Sequence, residues 1–119
     1  FYWEGITMNK TDITEQGLFL TTFVQRENSL RHHSYDEEML PYEYLKNGDL
    51  TGVELASKIF QSDSVGKVSD NPLRCYKYLF VACATLTTRF AIEGGLEGEL
   101  AYTLSDMYIN RVDRSYFYL

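Results

Sequence analysis

Several clusters in the sequence carry groups that could do chemistry, and the glycines of R-F-A-I-E-G-G-L-E-G-E-L are the first. A glycine-rich loop can cradle a phosphate, but the dinucleotide fingerprint needs G-x-G-x-x-G between a buried strand and a helix, and a P-loop ends in Gly-Lys-Ser/Thr. Gly94, Gly95 and Gly98 match neither spacing, and the residues before them are patterned as helix. They read as a corner, with Gly94 in the left-handed position that ends a helix and Gly95-Leu96 turning the chain. His32-His33 is the only histidine pair. Adjacent side chains diverge on a strand or a helix, so the two do not share a metal unless distant carboxylates help. A contact to a ligand, or a plain connector, is what remains for them.

Ser105-Asp106 could belong to a hydrolase triad, yet no G-x-S-x-G elbow accompanies it. Asp36-Glu37-Glu38 falls in the first turn of an expected helix, where negative charge complements the helix dipole, and does not read as a catalytic carboxylate pair. Cys75 and Cys83 lie eight residues apart on one expected helix. At the helical rise their backbones are about 12 Å apart, too far for a disulfide, so they read as reduced thiols. No nucleophile, metal site or cofactor motif survives, and the chain is expected to be no enzyme and to need no cofactor. Arg89 and Asp106 flank the glycine corner on two helices; antiparallel packing would bring them together as a pinning ion pair.

The elements that must position these residues are mostly helices. Residues 1–33 form an N-terminal segment whose Gly17–Gln25 stretch fits a short strand by its aromatic and β-branched content. Thr14-Glu15-Gln16 followed by Leu18, Phe19, Phe23 and Arg26 fits a helix equally, and both readings stay open. Residues 34–119 read as one helical domain. Ser34-Tyr35-Asp36-Glu37 is a capping box for a helix from Tyr35 to about Lys46, with a kink or break expected at Pro41. Asn47-Gly48 stops it, and Asp49 or Thr51 caps a second short helix, Thr51-Gly52-Val53-Glu54 forming a further box. Asn71 as N-cap and Pro72 at the first helical position open the longest helix. Its apolar stripe runs Leu73, Tyr76, Leu79, Phe80, Cys83, Leu86, Thr87, Phe90. A last helix carries Leu96, Leu100, Ala101, Leu104, Tyr108 and Val112 as a second core-facing stripe. The expected fold is thus a mostly α domain of about four helices, a helical hairpin plus two long helices joined at the Gly-Gly corner.

At 119 residues the chain suits one small domain. Acidic residues outnumber basic ones 17 to 11, for a net charge of -6. Nucleic-acid binding draws its affinity from neutralised phosphates, so this chain is not expected to hold DNA itself. No run of about 20 apolar residues provides a membrane span. The opening Phe-Tyr-Trp-Glu-Gly is not a secretory signal and lacks an initiator Met, which points to a piece of a longer cytoplasmic protein. With 10 Tyr and 7 Phe, the aromatic content could fill a core, a dimer interface or a ligand pocket.

Asp70-Asn71-Pro72-Leu73-Arg74, Tyr78-Leu79-Phe80, Thr88-Arg89 with Ala91-Ile92-Glu93-Gly94-Gly95-Leu96, and Ala101-Tyr102 with Leu104-Ser105-Asp106 and Tyr108-Ile109 together resemble a known type of domain. It is the region N-terminal to the helix-turn-helix module in a group of AraC-family transcriptional regulators from Firmicutes. Arg31-His32-His33-Ser34-Tyr35 and Asn47-Gly48-Asp49 fit the same pattern, and the likeness spans roughly residues 31 to 112. Gly98 departs from it, since relatives carry a less flexible residue there. The resemblance implies a non-catalytic regulatory domain that senses an effector, forms a homodimer, or both. It also implies a C-terminal DNA-binding helix-turn-helix domain that lies outside this chain. No particular ligand is implied. His32, His33, Arg74, Tyr78, Arg89, Tyr102 and Asp106 are the candidate ligand contacts, and Asn71, Pro72, Gly94 and Gly95 the structural positions. The alternative is a stand-alone helical interaction module without a small-molecule ligand.

Overall fold

The computed structural model describes residues 14–28, 32–61 and 66–116. They form five α-helices, α1 (Glu15–Glu27), α2 (Tyr35–Lys46), α3 (Thr51–Phe60), α4 (Pro72–Glu93) and α5 (Gly98–Asp113). The chain divides into two compact units, Phe1–His32 and His33–Leu119. In the first unit the open choice between strand and helix falls to helix. Thr14 accepts a 3.0 Å hydrogen bond from the Gly17 amide and thereby caps α1. Local capping outweighs the β-branched content of the segment. Four expected helices therefore become five, and the described residues hold no strand.

In the second unit α2 packs on α3, α4 packs on α5, and α2 also packs on α4. Ser34 caps α2 as expected: its hydroxyl accepts from the Glu37 amide at 3.1 Å and donates to the Glu37 carboxylate at 3.2 Å. Pro41 neither ends nor divides α2, which continues to Lys46. Its ring is fully buried, and its carbonyl lies where a Cβ on Gly52 of α3 would stand. Burial and this close helix contact offset the hydrogen bond that proline cannot donate. Gly48, at φ 75°, turns the chain toward α3. The expected Thr51–Glu54 box does not form, because Thr51 is already the first helical residue; Asp49 accepts from its amide at 2.9 Å instead.

Asn71 caps α4 by accepting from the Arg74 amide at 2.9 Å, and Pro72 is the first helical residue, both as the sequence predicts. The α4 stripe is half-buried along its length, and Thr88 beside it is fully withdrawn, its hydroxyl donating to the Ala84 carbonyl at 2.7 Å. At the corner the two glycines exchange their expected roles. Gly95 holds the positive φ of 114°, whereas Gly94 has φ -79°. Gly94 is needed for a different reason: a Cβ there would collide with the Lys46 carbonyl at the end of α2. Glu97 then caps α5, its carboxylate accepting from the Glu99 and Leu100 amides at 3.0 and 2.8 Å.

The α4–α5 hairpin is antiparallel, as two contacts at its opposite ends demonstrate. Near the start of α4 the Lys77 ammonium donates to the Asp113 carbonyl at 2.7 Å. Near its end the Arg89 guanidinium lies 5.2 Å from the centre of the Tyr102 ring. The expected core stripe of α5 is realised at two of its six positions. Ala101 and Val112 are buried, but Leu96, Leu100, Leu104 and Tyr108 are exposed. α5 presents Gly98, Ala101, Ser105, Ile109 and Val112 inward, a set with fewer large residues than the outward one. The aromatic end of the chain is also outward at Tyr116; residues 117–119 lie outside the described residues.

Candidate functional site

The seven candidate ligand contacts do not converge on one site. His32 is exposed. His33, in the second unit, places Nδ1 3.1 Å from the Glu37 carboxylate, one turn along α2. Arg74 and Tyr78 come together in a groove of about 420 Å³ between α4 and α5, where Asn71, Lys77, Val81, Ile109 and Asp113 complete the wall. Lys77 was not among the sequence candidates; its three-residue spacing from Arg74 on α4 is the signal that would have found it.

Arg89 and Tyr102 form a separate pair through the cation–π contact. The expected Arg89–Asp106 ion pair is absent among the described residues, and both side chains are exposed. The reason is helical phase. Asp106 follows Tyr102 by four residues but turns further from α4, onto the polar back of α5 beside Thr103, Asn110 and Arg114. Tyr102, one turn earlier, takes the position over which Arg89 extends. No group of three or more His, Cys, Asp or Glu side chains is placed to hold a metal ion among the described residues.

One strongly perturbed group lies in the core rather than in a groove. Tyr42 is 6% exposed, its ring 5.6 Å from that of Phe90. Burial, together with a hydrogen bond to the Cys83 sulfur, pushes its phenol well above the ordinary tyrosine range. This is the signature of a buried neutral phenol in a packed interface between α2 and α4. Cys75 and Cys83 are both free thiols. Cys83 also borders a mainly apolar groove between α3 and α4, with Val53, Ala56, Phe60, Tyr76 and Phe80.

No family model, curated protein or solved structure matches the chain. No helix among the described residues is long and apolar enough to cross a membrane.

What remains is a surface. Leu100, Leu104, Met107 and Tyr108 are 48%, 38%, 62% and 57% exposed, and they follow one another along a single side of α5. Leu96, just before the helix, extends the same stripe. The inward side is made of Gly98, Ala101, Ser105, Ile109 and Val112, all half-buried or buried. A helix ordinarily turns its large apolar residues to the core, because they carry most of the burial energy. Here the inward set suffices for α4, and the outward set is left to meet something else.

Proposed function

We propose that this chain is the regulatory domain of an AraC-type bacterial transcription regulator, non-catalytic and cytoplasmic, acting through homodimerisation. DNA is read by a C-terminal helix-turn-helix domain outside this chain. The family reading rests on the segments between Asp70 and Ile109 that resemble such regulators. The single observation that favours dimerisation within it is the outward stripe of α5, a run of large apolar side chains on the surface of a small unit. A regulator that reads paired half-sites on DNA needs such a self-complementary surface, and the acidic chain leaves phosphate contacts to its neighbour.

Effector sensing is the second reading, and the α4–α5 groove favours it. Arg74, Lys77 and Tyr78 line it with two cations and a phenol, donors that suit a small acid, in a wall that also holds Asp113, whose carbonyl Lys77 engages. A stand-alone interaction module would use the same α5 surface but would have no DNA-reading domain in its full-length protein. Sedimentation equilibrium of the full-length regulator and of this chain separates these readings: both are expected to be dimeric at micromolar concentration. A strictly monomeric full-length protein would overturn the dimerisation role. A thermal-shift series with small carboxylic acids tests the groove, and no stabilisation at large excess would remove the effector reading.

A further inference from the structure

We propose, resting on the dimerisation reading above, that two copies of this chain pair through α5, antiparallel, about a two-fold axis between Leu104 and the partner's Met107. Glu97, Leu100, Leu104, Met107, Arg111 and Arg114 alternate at three- and four-residue spacing, from the cap before α5 to the cap after it. That is the heptad seam of two helices packed side by side. The seam is apolar at its centre, acidic at its start and basic at its end.

Charge selects the direction. In a parallel pair each seam residue meets its own copy, so Glu97 faces Glu97, Arg111 faces Arg111 and Arg114 faces Arg114. In the antiparallel pair the register that sets Leu104 against the partner's Met107 also sets Glu97 against the partner's Arg114. The same register lays the Arg111 stem along the partner's Leu100. Every like-charge contact is relieved: the Glu97 and Arg114 contacts become opposite-charge ones, twice over by symmetry, and Arg111 no longer faces its own copy. Neither arginine is engaged in an ion pair among the described residues. The area is also sufficient. The exposed parts of Leu96, Leu100, Leu104, Met107 and Tyr108 amount to roughly 500 Å² per copy, so complete cover of the stripe on both copies removes about 1,000 Å², the lower bound for a specific protein interface.

The experiment is sedimentation equilibrium on the 119-residue chain and its variants, with far-UV circular dichroism to verify that each stays helical. Leu104→Glu and Met107→Glu are each expected to raise the dimer dissociation constant about tenfold or more, while Leu50→Ser, on another exposed apolar residue, leaves it unchanged. Arg114→Glu alone and Glu97→Lys alone are expected to weaken pairing, because each sets like charges against each other; Glu97→Lys also removes the α5 cap, and its circular dichroism reads that loss separately. An equimolar mixture of these two variants is expected to associate more tightly than either alone, because both end contacts are then complementary. A dimer that ignores the α5 substitutions would overturn this interface and leave the dimerisation reading standing. A wild-type chain that stays monomeric at every concentration would overturn both.

Discussion

Gly94 and Gly98 stand four residues apart and have opposite reasons to be glycine. A Cβ on Gly94 would strike the Lys46 backbone carbonyl, an atom that cannot swing aside, whereas nothing lies within 4 Å of a Cβ on Gly98. Gly94→Ala is therefore expected to destabilise the unit by about 2–3 kcal/mol. Gly98→Ala, at the start of α5, is expected to stabilise it by up to about 1 kcal/mol. Chemical denaturation of both variants checks the pair, and equal effects would remove the steric account. The sequence made the corner legible through its glycines, but not which of them is held by a distant contact, because Lys46 lies far off along the chain. Tyr42 has a similar history. Nothing in its neighbours marks it as buried; the α2–α4 packing does. Its phenol is held neutral, with a folded-state pKa raised above that of the unfolded chain. The stability this contributes is complete below about pH 10, the unfolded value, and falls as the pH rises toward the folded one. Urea titrations from pH 8 to 11 are expected to show that alkaline loss, and Tyr42→Phe is expected to reduce its slope.

At the scale of elements, the caps at Ser34 and Asn71 were legible, whereas the Thr51 box, the roles of Gly94 and Gly95, and the packing partners were not. Ser34, Asn71 and Pro72 act within three or four residues of themselves, so short-range chemistry determines them. The Arg89–Asp106 pair failed because joining residues across two helices requires the phase of each, and an error of one turn replaces a carboxylate with the Tyr102 ring. Arg89→Ala is accordingly expected to cost about 0.5–1 kcal/mol, the range of an exposed cation–π contact. Asp106→Asn is expected to be neutral. A coupling measured between Arg89 and Tyr102 in a double-mutant cycle, with none between Arg89 and Asp106, is the check. The α5 stripe shows the same limit from another side. Periodicity merged Ala101 and Val112 with Leu100 and Leu104 into one broad apolar face; only packing against α4 divided it into an inner set and an outer set with more large residues.

For the molecule as a whole, helical class and helix boundaries were legible, and the candidate site was not. The sequence candidates are distributed among the α4–α5 groove, the Arg89–Tyr102 pair, the α2 start and the back of α5. What the fold contributes is a spine: α4 carries α2 on one side and α5 on another. Among the described residues of the second unit, few are withdrawn from water, namely Pro41, Tyr42, Gly52, Thr88, Ala101 and Val112. That sparse burial has a thermodynamic consequence. Unfolding exposes little new apolar surface, so the heat-capacity increment and the denaturant sensitivity of the isolated unit are both small for its length. The isolated unit is therefore expected to melt gradually rather than abruptly, a breadth that differential scanning calorimetry checks.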